Sequence, residues 1–123
     1  MEQGCLCNSG PKLIFSCSGA ADTAEIADRT ARRLTKEGVG KMYCLAGIGG
    51  RVPGILETTQ SASKILAMDG CDKDCARKSL ELAGFASVTH LRLTDFGLVK
   101  GESPPTHERI TLVVDRAKAL LEE

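Results

Sequence analysis

Aromatic residues are scarce in this chain, which holds no Trp, one Tyr and three Phe. The scarcity excludes the stacking platforms that hold single-stranded nucleic acids, and it leaves Leu, Ile, Val and Ala to build a core. Net charge is also missing, because Lys plus Arg and Asp plus Glu both number 16. No long block of one sign appears, so neither a nucleic acid nor an anionic membrane surface is expected as a partner. No apolar run is long enough to span a bilayer. The opening MEQGCLCNSGPK lacks the basic start and apolar stretch of a secretory leader, so a cytoplasmic location is expected. A length of 123 residues fits one domain and leaves no room for a second. Residues 1–10 read as a flexible tail carrying Cys5-x-Cys7, and 11–123 as a single α/β domain.

Hydrophobic periodicity organises that domain. Leu13 to Phe15 is a short apolar segment followed by Ser-Cys-Ser-Gly, as a buried strand with a turn behind it would be. From Asp22 to Glu37, Ala24, Ala27, Ala31 and Leu34 repeat at helical spacing, and Gly38 is a natural stop. Lys41 to Ala46 reads as a second strand, Gly47 to Gly50 as a glycine turn, and Pro53 as the first turn of a helix. Ile65 to Met68 is the third strand. Asp72 or Asp74 is positioned to cap the next helix, which Gly84 ends. Val88 to Leu93 alternates and includes His90 and Arg92, the pattern of a half-exposed edge strand. A proline-bearing loop then leads to a helix with Ile110, Val113, Val114, Ala117, Leu120 and Leu121 on one face. This alternation predicts a three-layer, mostly parallel four-stranded sheet with flanking helices, flavodoxin-like or Rossmann-like.

The six cysteines carry the chemical signal. In a reducing compartment, thiols at this density indicate metal binding or catalysis rather than a disulfide framework. Cys17, Cys44, Cys71 and Cys75 all follow predicted strand cores, and in a parallel sheet the strand ends share one ligand-binding edge. A lone strand cysteine such as Cys44 is also a good small hydrophobe. Cys17 and Cys71 precede helices, where N–H groups and the helix dipole favour a thiolate. Cys75 lies four residues beyond Cys71, within reach of the same side. Four thiolates match the number and softness of a tetrahedral zinc shell, although the paired C-x-x-C knuckles of zinc fingers are absent.

Other patterns point away from chemistry. A cysteine-dependent phosphatase would need an arginine where Thr23 stands. The run Gly47-Ile48-Gly49-Gly50 has Val52 in place of the third glycine of a dinucleotide loop. His90 and His107 have no ligand or triad spacing and read as strand surface and helix start. Asp69 and Asp95 fall near strand ends, where capping or turn formation is their common use.

Taken together, LIFSCSGAADTAEIADRTARRL, GKMYCLAGIGGRVPGI, ILAMDGCDKDCARKSLELAGF and HLRLTDFGL resemble the DGC-domain family, described as zinc-binding. The resemblance runs from about Pro11 to Leu98 and includes the Asp69-Gly70-Cys71 motif. It implies a metal site at Cys17, Cys44, Cys71 and Cys75, with zinc as the cofactor, and it assigns no reaction. Cys5 and Cys7 fall outside the matched span. The expected function is a zinc-binding protein whose partner is the metal ion; no protein partner is legible. One alternative is a thiol redox or sulfur-transfer enzyme with Cys17 as nucleophile. Another is an iron–sulfur protein.

Overall fold

The computed structural model describes residues 10–123, so Cys5 and Cys7 lie outside the described residues. The chain runs β1 (Lys12–Ser16), α1 (Asp22–Lys36), β2 (Lys41–Met42), α2 (Leu45–Gly49), α3 (Pro53–Gln60) and β3 (Lys64–Asp69). It continues through α4 (Cys75–Leu82), β4 (Thr89–Arg92), a 3₁₀ turn (Leu93–Phe96) and α5 (His107–Glu122). All four strands are parallel, in the order β2-β1-β3-β4. The expected α/β layering is therefore present, with β4 at an edge.

Alternation along the strands divides the core into two layers. Ile14, Leu66 and Met68 face α1 and α5, where Ile26, Ala31, Leu34, Val113 and Ala117 meet them. Leu13, Phe15, Ile65 and Ala67 face the other way, against Ile48, Ala76 and Leu80 of α2 and α4. Every residue of β3 from Leu66 to Asp69 is buried, because helices cover the sheet on both sides. Each fully buried aliphatic side chain contributes about 1.5–3 kcal/mol of transfer free energy.

Two expectations are corrected near Cys44. The strand expected over 41–46 stops at Met42, whose N–H bonds to the Thr35 hydroxyl at 2.8 Å. The expected glycine turn is instead helix α2, and Cys44 stands at its N-cap with Sγ accepting the Gly47 N–H at 3.3 Å. Gly47 fits because a Cβ there would lie 2.8 Å from Ile55, so the absence of a side chain serves packing rather than a turn.

The topology also locates a crevice. From β1 the chain moves outward to β2, and from β3 it moves outward the other way to β4. The carboxyl ends of β1 and β3 therefore flank the point where strand order reverses, the usual ligand position in open α/β sheets.

Candidate functional site

At that point the Asp69-Gly70-Cys71 corner meets the loop after β1. Cys17 N–H extends the β1–β3 ladder by donating to the Met68 carbonyl at 3.2 Å, and Gly70 N–H donates to Cys17 Sγ at 3.4 Å. Gly70 packs directly on the first turn of α1, where a Cβ would lie 2.8 Å from Ala24 N and from the Thr23 carbonyl carbon. Asp69 is buried and caps α4 from six residues upstream, accepting Ala76 N–H at 2.7 Å and Arg77 N–H at 3.2 Å. Its capping is the use such a residue commonly has. Asp74 occupies the cap position itself but makes no cap bond, contrary to the expectation for it.

Three of the expected thiols share one cavity. Cys17, Cys71 and Cys75 line a space of about 490 Å³ together with Thr23, Lys73 and Lys100. Cys44 opens on an adjacent space of about 460 Å³, which Ser18 also lines, so the loop after β1 forms the wall between the two. Cys17 and Cys71 are half-buried, whereas Cys44 and Cys75 are exposed. Ser18 and Asp74 both adopt left-handed backbone, φ 53° and 55°, and each adjoins a cavity thiol. Such conformations are uncommon away from glycine and concentrate at functional corners.

The activated Cys17 thiolate expected from the helix start is not what the geometry favours. Burial pushes the Cys17 thiol above its ordinary value, the Gly70 N–H partly offsets this, and the nearby Asp69 carboxylate adds to the rise. As a donor set, soft thiols from two loops fit a thiophilic ion. A tetrahedral zinc shell holds its sulfurs about 3.8 Å apart, given Zn–S of about 2.3 Å. Among the described residues, the cysteines form no set of three within 4.8 Å. As placed, the described thiols are not drawn into a zinc shell, and exposed Cys44 and Cys75 have room to rotate.

Asp69, Asp74 and His90 do offer donors within 4.8 Å of one another. His90 is not the strand-surface residue expected from spacing. Its Nε2 is hydrogen-bonded to Asp69 Oδ2 at 2.8 Å and lies 3.6 Å from Asp74 Oδ1. Arg92 grips Asp74 through Nε at 2.9 Å and Nη2 at 2.6 Å, and Arg77 adds a third bond at 3.0 Å. Arg92 accordingly holds the Asp74 carboxyl below its ordinary range. With two guanidinium groups already against Asp74, this cluster is an ion-paired network and a poor seat for another cation. Sequence spacing missed it because Asp69 and Arg92 meet only through the parallel β3–β4 register. Two polar residues near the carboxyl end of an alternating strand were the available signal.

Elsewhere, a groove of about 540 Å³ at the amino ends of β3 and β4 is lined by Lys64, Phe85 and Ser87 and has no thiol. His107 begins α5, and Asp95 pairs with Arg92 at 3.4 Å on the exposed side.

Comparison with known proteins matches this arrangement to one family. The DGC-domain profile covers residues 13–117, so the likeness extends past Leu98 into α5. One curated relative is the anaerobic and virulence modulator AnvM of Pseudomonas aeruginosa. It is 34% identical over 110 residues, which is 88% of this chain and 84% of that protein. No solved structure matches the chain significantly. Among the described residues, no helix is long and apolar enough to cross a membrane.

Proposed function

Because the chain belongs to the DGC-domain family, we propose that it binds a thiophilic metal ion, zinc foremost, through Cys17, Cys71, Cys75 and Cys44. The supporting observation is the gathering of Cys17, Cys71 and Cys75 around one cavity at the strand-order reversal. Cys44 lines the adjoining space on the other side of the β1–α1 loop and would join the set by turning its exposed side chain past that loop. Zinc bound there supplies a clip if four thiolates close around it, or a Lewis-acidic centre if one position stays open. The protein's own contribution is to hold Cys17 through the Gly70 N–H, to carry Cys71 in the loop after β3 and to set Cys75 at the first residue of α4. Free thiols of this kind persist in a reducing compartment, which fits a cytoplasmic setting.

The fold has two aliphatic layers of its own, which favours a task for the ion beyond that of a staple. A relative named an anaerobic and virulence modulator is in keeping with a regulatory use of the ion. The thiol-enzyme alternative is disfavoured by the raised Cys17 thiol. An iron–sulfur cluster would use the same donors and would colour the protein.

The deciding experiment is elemental analysis of the anaerobically purified full chain, with a visible spectrum and a thiol count. About one zinc per chain without colour is expected, falling sharply when any of the four cysteines becomes Ser and little when Cys5 or Cys7 does. Metal-free protein with reduced thiols, or equal losses at Cys5 or Cys7, refutes the assignment.

A further inference from the structure

We propose that His90 and Arg92, both on β4, are positioning residues for the thiol cavity. The inference rests on the metal-binding reading and extends it to residues that carry no sulfur. Asp69 lies two residues before Cys71, and Asp74 lies immediately before Cys75. Each is held by one β4 side chain: Asp69 by His90 at 2.8 Å, and Asp74 by the two-pronged Arg92 at 2.9 and 2.6 Å. Both carboxylates are almost fully buried. Strand β4 thus grips the two ends of segment 69–74, the stretch that carries Cys71 and delivers Cys75.

The grip also supports an unfavourable backbone. Asp74 sits at φ 55°, a conformation that persists in a non-glycine residue only where its surroundings hold it. Without Arg92, Asp74 keeps only the Arg77 bond, and its relaxation to ordinary backbone would displace Cys75, the next residue. Without His90, Asp69 keeps its two helix bonds but loses the contact that fixes its rotation. Residues bonded directly to a metal ligand typically change affinity 10- to 100-fold when removed. His90 and Arg92 act one step further out, through Asp69 and Asp74, so about 10-fold is expected.

Cobalt(II) titration of the metal-free full chain, followed by its thiolate charge-transfer and d–d bands, tests the proposal. Wild type should show both bands. His90→Leu and Arg92→Met should weaken cobalt about 10-fold and alter the d–d band shape. His90→Gln, which restores a donor near the Nε2 position, should recover wild-type binding. Folded His90→Leu and Arg92→Met proteins with wild-type affinity and spectrum, even at lowered Tm, overturn the proposal and reduce these residues to structural ones. Should His90→Leu and Arg92→Met fail to fold, Arg92→Lys carries the test: it keeps the charge without the two-pronged grip, so unchanged cobalt affinity there also overturns it. Absence of any thiolate band in wild type instead refutes the metal-binding reading itself.

Discussion

Substituting Gly70 by Ala tests the corner that seats the thiol loop on α1. The new Cβ would stand 2.8 Å from Ala24 N and the Thr23 carbonyl carbon, and 2.9 Å from Thr23 Oγ1. Comfortable contacts between heavy atoms begin near about 3.5 Å, so each is short by roughly 0.6 Å or more. Two of these atoms are backbone in the first turn of a helix whose Thr23, Ala24, Ile26 and Ala27 are buried, so α1 has little freedom to yield. The loop must retreat, lengthening the 3.4 Å Gly70–Cys17 hydrogen bond. Overpacking of this kind costs about 1–3 kcal/mol, of which Ala returns roughly 0.5 through lower unfolded-state entropy. A net loss of about 1.5 kcal/mol is expected. For 123 residues the unfolding entropy is about 0.26 kcal/mol/K, which places the Tm about 6 °C lower. Gly54 in α3 is the control, since nothing lies within 4 Å of its Cβ position and Ala should raise Tm by a few degrees. Calorimetry of the metal-free, reduced chain reads both. A Gly70→Ala Tm within about 2 °C of wild type, or above it, refutes the close-approach argument.

Three further outcomes are expected. The Asp22 carboxylate accepts N–H bonds from Gly101 and Ser103 at 2.9 Å each, which hold its pKa below the ordinary value. Because the folded value is the lower one, the tether is intact above the usual carboxylate range and is lost as pH falls through the depressed value. The Gly101 and Ser103 amide shifts should therefore titrate below about pH 3.9, and a midpoint at or above that would contradict the bonding. In metal-free protein, iodoacetamide should modify exposed Cys44 and Cys75 before Cys17, whose burial raises its thiol pKa; mass spectrometry showing Cys17 first would count against the geometry. Thr106→Ala removes the side-chain acceptor for Arg109 N–H at the start of α5 and should cost about 1 kcal/mol by urea denaturation, with Thr106→Ser close to neutral.

Most of the layering was legible because its signals are local. The short apolar run Leu13–Phe15, helical repeats in α1 and α5, and glycine stops at 38 and 84 each reflect neighbouring residues, and the observed elements follow them. The segment around Cys44 departs from its local pattern because a two-residue strand leaves no alternation to detect, and Gly47 after it serves contact with Ile55 rather than a turn. The gathering of Cys17, Cys71 and Cys75 follows from topology, since every parallel strand delivers its following loop to one edge, whereas Cys44, expected with them, opens on the neighbouring space. The ion-paired network was not legible, because the Asp69–His90 bond spans 21 residues and the Arg92–Asp74 bond 18, and only strand register brings them together. Capping was sought next to α4, at Asp72 and Asp74, while the working acceptor belongs to β3.

The all-parallel order also governs how the protein comes into being. Lys12 pairs with Lys64, and Gly70 reaches Cys17 across 53 residues, so the central strands join only after a long stretch of chain has closed on itself. Non-local pairing of this kind is slow compared with helix formation. Until it is complete, Cys17, Cys44, Cys71 and Cys75 belong to separate, unarranged segments that any metal ion or oxidant can bridge in the wrong combination. Correct assembly of the thiol site is therefore a race between sheet closure and thiol capture, and protection of Cys17 from alkylation during refolding should rise in step with the closing of β1 on β3.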